Sequence, residues 1–305
     1  MGKIAFVFSG QGAQYRGMGQ ELFYKNQASA DIFKQADSIR PGTSAQCFSG
    51  TDEELAETIN TQPCLFALEL AAAAALTSSG IRPDTTAGFS LGELSALCFA
   101  GALSFEEGFR LVCRRGELMH ADAEKAESAM AAVLKLDAEM VESLCAQYEH
   151  VYPVNYNCPG QISVSGLRAE LEDFMIRVKA AGGRAVPLRV KGGFHSPFMA
   201  EAAQNFSEIL EKVCFRPPQM PLYSDYTGLP YGDDYVTLLS RQICRPVRWQ
   251  DIITHMIQNG VKTFIEIGPG NTLCGLISKT DTAVRTLNVE DTASLERTIR
   301  EVHAC

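Results

Sequence analysis

The chain has 305 residues, 46% hydrophobic and 21% charged, a balance that supports a sizeable core in one or two globular domains. A formal net charge of −9 with no concentrated basic stripe excludes a duplex nucleic-acid binder. The ten cysteines are scattered without a C-x-x-C, and H-E-x-x-H and zinc-ribbon spacings are absent, so neither a metal site nor a disulfide framework is expected.

In chain order, Lys3 to Phe8 reads as a fully buried strand stopped by Ser9-Gly10. The same apolar run is too short for a signal sequence, and the cytoplasm is the expected compartment. Thr61 to Leu76 reads as a buried helix with five consecutive alanines, ended at Gly80. Its apolar part, Cys64 to Leu76, is interrupted only by Glu69 and is too short to cross a bilayer, so no membrane is expected. Thr85 to Phe89 is a short strand running into Ser90, Leu91 to Ala100 a helix closed by Gly101, and Phe105 to about Ala126 a long amphipathic helix. The pattern then changes. Ala129–Leu134 (strand), Ala138–Tyr148 (helix), Tyr152–Asn157 and Gln161–Ser165 (strands around a Pro159-Gly160 turn), Ala169–Ala181 (helix) and Arg184–Val190 (strand) give the order βαββαβ. Met220–Ser224, a helix around Gln250–Asn259, Lys262–Ile267 and Ala283–Leu287 follow. The fold expected is α/β: a large domain, residues 1–126 and 193–305, with a mostly parallel sheet, and an inserted ferredoxin-like domain at 127–192.

The sharpest chemical signal is Gly88-Phe89-Ser90-Leu91-Gly92, a G-x-S-x-G between a predicted strand and a predicted helix. A tight turn there exposes a serine hydroxyl at a helix N-terminus, where the Leu91 N–H can help hold an oxyanion. Serine needs a base, and His195 is the candidate among five histidines because it lies in the glycine-rich loop Lys191-Gly192-Gly193-Phe194-His195-Ser196-Pro197. His120, His150, His255 and His303 read as surface or core residues. Ser9-Gly10-Gln11-Gly12 fails the dinucleotide fingerprint, since Tyr15 replaces its third glycine, and reads as a source of backbone N–H groups for the serine site. Glu266-Ile267-Gly268-Pro269-Gly270 reads as a structural turn.

Six segments in the same order, FSGQGAQYRGMG (8–19), GFSLGELSAL (88–97), RRGELM (114–119), VNYNCPGQISVSG (154–166), GGFHSPFM (192–199) and EIGPGNTL (266–273), resemble the malonyl-CoA:acyl carrier protein transacylase family and the acyltransferase domains of polyketide synthases. The resemblance implies a hydrolase-like large domain, Ser90 as nucleophile and His195 as base. It implies backbone donors from Gln11 and Leu91 for the oxyanion, Arg115 for the free carboxylate of the malonyl group, and the Gln242 backbone carbonyl orienting the histidine. Phe89 departs from the family's G-H-S-x-G and removes a polar side chain beside the acyl site, while Phe194 resembles malonyl-selective members. The activity implied is transfer of malonyl from coenzyme A, a substrate rather than a cofactor, to the phosphopantetheine thiol of an acyl carrier protein, with a free-standing chain leaning to fatty-acid biosynthesis. A monomer is expected, with carrier docking placed at Arg184, Arg189 and Lys191. The rival reading is a serine thioesterase or esterase, which usually shows an acidic triad member between Ser and His; none stands out here.

Overall fold

The computed structural model describes residues 2–304 and contains two sheets. Strands β1 (Lys3–Phe8), β2 (Thr85–Gly88), β7 (Val261–Ile267) and β8 (Arg285–Val289) pair in the order β2-β1-β7-β8, every pair parallel. Strands β3 (Ser128–Leu134), β4 (Val151–Cys158), β5 (Gln161–Leu167) and β6 (Arg184–Pro187) form a separate antiparallel sheet in the order β4-β5-β3-β6. The chain is thus α/β, with the antiparallel sheet built wholly from one internal segment.

The parallel strands have short apolar runs because both faces are covered. In β1, Phe6 and Phe8 enter the core under the helices Thr58–Ser78, Gly92–Phe99 and Phe105–Ala123, while Ala5 and Val7 point to the opposite core, with Trp249, Ile253 and Leu276. Helix Thr58–Ser78 is long and apolar enough to span a membrane by length and composition, but it is buried along most of its length inside this core. In the antiparallel sheet the alternation has two chemistries. Ala131, Val133, Ile162 and Val164 pack under the helices Ala138–Cys145 and Arg168–Ala180, while Met130, Ala132, Asn157 and Ser163 face a cleft.

Two expected strands are altered. Met220–Ser224 forms only isolated bridges, Thr86 to Leu222 and Tyr223 to Pro230, because Pro221 has no N–H for a ladder and the segment lies on the sheet edge. The strand expected to reach Val190 ends at Pro187, after which only the Leu188 N–H still bonds to β3, at the Met130 carbonyl (2.9 Å), before the chain turns towards the cleft. Four helices between residues 20 and 56, and those at Ala200–Leu210, Tyr235–Cys244, Thr272–Thr280 and Thr292–His303, are additional to the sequence expectation.

Candidate active site

The G-x-S-x-G turn joins β2 to helix Gly92–Phe99, and its glycines are needed for space. A Cβ on Gly88 would lie 1.9 Å from the Gly92 carbonyl, and one on Gly92 would lie 2.4 Å from the Phe8 carbonyl oxygen at the end of β1. Ser90 between them has φ 56°, a left-handed conformation costly for a non-glycine residue. Its N–H donates to Asp225 Oδ2 at 2.6 Å, a charge-assisted contact that holds the turn.

His195 has φ 59° and is 4% exposed. Its Nε2 lies 2.7 Å from Ser90 Oγ and its Nδ1 lies 2.8 Å from the Gln242 carbonyl oxygen. A carbonyl can only accept, so Nδ1 carries the proton and Nε2 presents its lone pair to the serine hydroxyl. Burial, reinforced by the Arg115 charge, pushes the imidazole down to about 3, against the opposing pull of the Gln242 carbonyl. Ser165 of β5 donates its hydroxyl to the Phe194 carbonyl at 2.8 Å, so the antiparallel sheet touches the residue preceding His195.

Arg115 comes from helix Phe105–Ala123 and is 2% exposed. Its Nη2 donates to Gln242 Oε1 at 2.8 Å and approaches Ser90 Oγ at 3.3 Å, while Nη1 is buried with no partner among the described residues. Burial pushes the guanidinium down to about 10, opposed by the charges of Glu93 and Asp225. The Gln242 side chain bridges the site: its Nε2 donates to the Ser90 carbonyl at 2.5 Å and to Asp225 Oδ2 at 3.3 Å. The backbone N–H groups of Gln11 and Leu91 have no acceptor among the described residues. Ser90, His195, Gln11, Phe89 and Phe194 line one cleft of about 280 Å³, together with Arg189, Asn157 and Ser163, whereas Arg115, Leu91 and Gln242 are outside its lining.

His120, His150 and His255, read from sequence as surface or core residues, pair away from Ser90. His150 pairs with Glu170 (2.8 Å), His255 with the Tyr223 hydroxyl (3.0 Å), and His120 lies 3.6 Å from Glu57. Lys191 pairs with Glu57, and of the three basic residues near the return crossing only Arg189 lines the cleft. Three buried carboxylates around the nucleophile turn were given no role from sequence. Glu93 accepts from the Asp225 N–H (3.3 Å) and the Tyr231 hydroxyl; Asp225 holds Ser90; Glu69 accepts from the Ser9 (2.8 Å) and Ser95 (2.5 Å) hydroxyls. Glu93 stands directly after the motif, and Glu69 alone breaks an apolar run; both were visible signals of buried polar work.

An acyl transferase domain model matches residues 5–304. A malonyl CoA-acyl carrier protein transacylase of Bacillus subtilis (strain 168) is 40% identical, over 98% of this chain and 97% of its own length. The crystal structure of malonyl CoA-acyl carrier protein transacylase from Clostridium perfringens superposes with a TM-score of 0.95 at 37% identity, covering 99% of this chain and 98% of that one. A malonyl-transacylase solved in complex with a type II polyketide synthase acyl-carrier protein matches with a TM-score of 0.94 at 34% identity, covering 98% of this chain and 99% of that one. The chain belongs to the acyl transferase family and, within it, to the malonyl CoA-acyl carrier protein transacylases, and is an acyltransferase enzyme.

Proposed function

We propose that the chain transfers malonyl from coenzyme A to the phosphopantetheine thiol of an acyl carrier protein through an ester on Ser90. The carrying observation is the Ser90 Oγ to His195 Nε2 distance of 2.7 Å, with Nδ1 fixed 2.8 Å from a carbonyl. His195 Nε2 takes the Ser90 proton as Oγ bonds to the thioester carbonyl carbon. The oxygen becomes an oxyanion facing the free N–H groups of Gln11 and Leu91, and the C–S bond breaks as the coenzyme thiolate leaves and takes the proton from His195. The carrier thiol then gives its proton to His195 and attacks the ester, returning the serine hydroxyl.

The chemistry of the base favours transfer over hydrolysis. An imidazole steadied by a carbonyl rather than a carboxylate is a weak base. It deprotonates a thiol, with a pKa of about 8.5 for free cysteine, far more readily than water at about 15.7. Arg115 supports a carboxylate-bearing acyl group, because a buried guanidinium with an unpartnered Nη1 is completed by a bidentate anion. The strand order β4-β5-β3-β6 supports a ferredoxin-like insertion at 127–192 in a hydrolase-like domain of 1–126 and 193–305. The reading includes a cytoplasmic monomer in fatty-acid synthesis, with no cofactor, docking its carrier beside Arg189 at the cleft.

Intact-protein mass spectrometry after exposure to malonyl-CoA tests this. One malonyl group on Ser90 that holo-carrier protein discharges, absent from Ser90→Ala, is the expected result. Rapid release of free malonate without carrier would establish a hydrolase instead.

A further inference from the structure

Behind the nucleophile lies a group of charges that acyl transfer itself does not use. Asp225 and Glu93 are both fully buried and linked through the Asp225 N–H to Glu93 Oε1. Asp225 Oδ1 and Glu93 Oε2 have no partner among the described residues. Among the described residues no cation touches either carboxylate. The one guanidinium, Arg115, is separated from Asp225 by the Gln242 amide, which accepts from Arg115 Nη2 on Oε1 and donates to Asp225 Oδ2 from Nε2. The other groups facing the pair are the Tyr231 hydroxyl, on Glu93, and His195, beside Arg115. Tyr235 stacks on Tyr231 with ring centroids 5.4 Å apart.

Charge in a buried site has to balance, because an uncompensated ion there costs far more than in water. By that balance, before substrate binds Arg115 calls for one negative charge shared between the two carboxylates. A free carboxylate reaching the buried, unpartnered Nη1 edge of Arg115 adds a second negative charge to the same enclosure. We propose that the Asp225–Glu93 pair takes up one proton from solvent as the substrate's carboxylate seats on Arg115, so that acyl groups bearing a carboxylate bind with a proton and neutral acyl groups do not. The inference rests on the reading of Arg115 as the carboxylate site. One proton moves from bulk water to a pair oxygen, and the enclosure remains neutral before and after.

The pair is poised for this. Burial, aggravated by Asp225, pushes Glu93 well above the carboxylate range, and burial pushes Asp225 up to about 7 despite its bonds to Ser90 and Gln242. Around neutral pH the pair therefore holds a proton it can gain or lose. As pH rises the pair ionises, and the substrate carboxylate is repelled unless a proton comes with it.

Calorimetric titration of Ser90→Ala with malonyl-CoA and acetyl-CoA at pH 8, in two buffers of different ionisation enthalpy, measures the uptake directly. Proton exchange by the coenzyme phosphates is common to both ligands and cancels in the difference. The expected difference is about one proton more for malonyl-CoA. In turnover, malonyl kcat/KM relative to acetyl falls about fivefold between pH 7 and pH 8 in the wild type, as a single proton demands, and stays flat in Asp225→Asn. Equal uptake for the two ligands, or a pH dependence surviving in Asp225→Asn, overturns the proposal. Arg115→Ala separates the two readings: if it binds malonyl-CoA as tightly as the wild type, the carboxylate assignment itself is wrong. If it loses malonyl binding selectively while the wild type takes up no extra proton, only the proton proposal fails.

Discussion

The left-handed backbone at Ser90 and His195, φ 56° and 59°, costs on the order of 1–3 kcal/mol at each residue. It persists because neighbours over-determine it: Gly88 against Gly92, the Asp225 carboxylate on the Ser90 N–H, and the Gln242 carbonyl on the imidazole. The same burial that fixes the ring also removes its usual titration. Free histidine ionises near pH 6.5, whereas His195 is held down to about 3. The folded protein therefore refuses a proton that the unfolded chain accepts, and stability falls as pH drops below about 6.5 by at most about 1.4 kcal/mol per unit. Urea unfolding from pH 7 to pH 4.5 checks this: the wild type loses stability relative to His195→Ala on acidification, and parallel curves would refute it. In activity, acetyl transfer, which leaves the proposed carboxylate site out, shows no inflection in kcat/KM near pH 6.5, since the proposed base stays neutral through that range.

The elements that carry the proposed oxyanion donors are tied by a third. Glu69, on helix Thr58–Ser78, accepts from Ser9 at the end of β1 and from Ser95 on helix Gly92–Phe99, so one side chain joins the segments bearing Gln11 and Leu91. Burial pushes its carboxyl up to about 8, partly offset by these hydroxyls. A raised folded value means the folded state keeps a proton that the unfolded chain releases, so its contribution to stability declines from about pH 4.5 to about pH 8 and no further. Glu69→Gln removes that decline. Its thermal stability relative to wild type rises between pH 5 and pH 8 by about 1 kcal/mol or more, and Glu69→Leu, which orphans two buried hydroxyls, is less stable than Glu69→Gln by about 2 kcal/mol or more at every pH. A wild type and Glu69→Gln with the same pH profile would contradict this. The parallel strands and central helices were legible because long buried runs announce themselves. Helices Gln20–Lys25, Thr43–Ser49 and Asp52–Ala56 were not, being too short for a helical period to register and held by packing. Ser90 and His195 were legible from glycine-punctuated chain reversals. Asp225 was not, because it meets Ser90 from 135 residues away and contacts its main chain, which leaves no local pattern.

At the scale of the whole molecule, the antiparallel sheet enters and leaves the parallel one through two crossings, and the return crossing carries His195. The chain from Leu188 to His195 lines the cleft through Leu188, Arg189, Val190, Phe194 and His195, so the placement of the proposed base depends on both sheets. The parallel side holds the imidazole through the Gln242 carbonyl, and the antiparallel side holds the preceding peptide through the Ser165 hydroxyl on the Phe194 carbonyl. Ser165 is fully buried and its hydroxyl is engaged by the Phe194 carbonyl, so its influence on the site runs through that peptide. Ser165→Ala leaves a buried carbonyl unpaired, a loss of about 1 kcal/mol, and frees the loop to sample positions in which Nε2 is out of reach of Ser90 Oγ. If only part of the population is aligned, the proton-transfer step slows in proportion while ground-state binding is unchanged. The expected result is a kcat about fivefold lower for malonyl and acetyl transfer alike, with both KM values near wild type. Because the proposed base acts on every acyl group alike, a loss confined to malonyl, or one appearing in KM alone, would mean that Ser165 shapes the acyl pocket rather than the base.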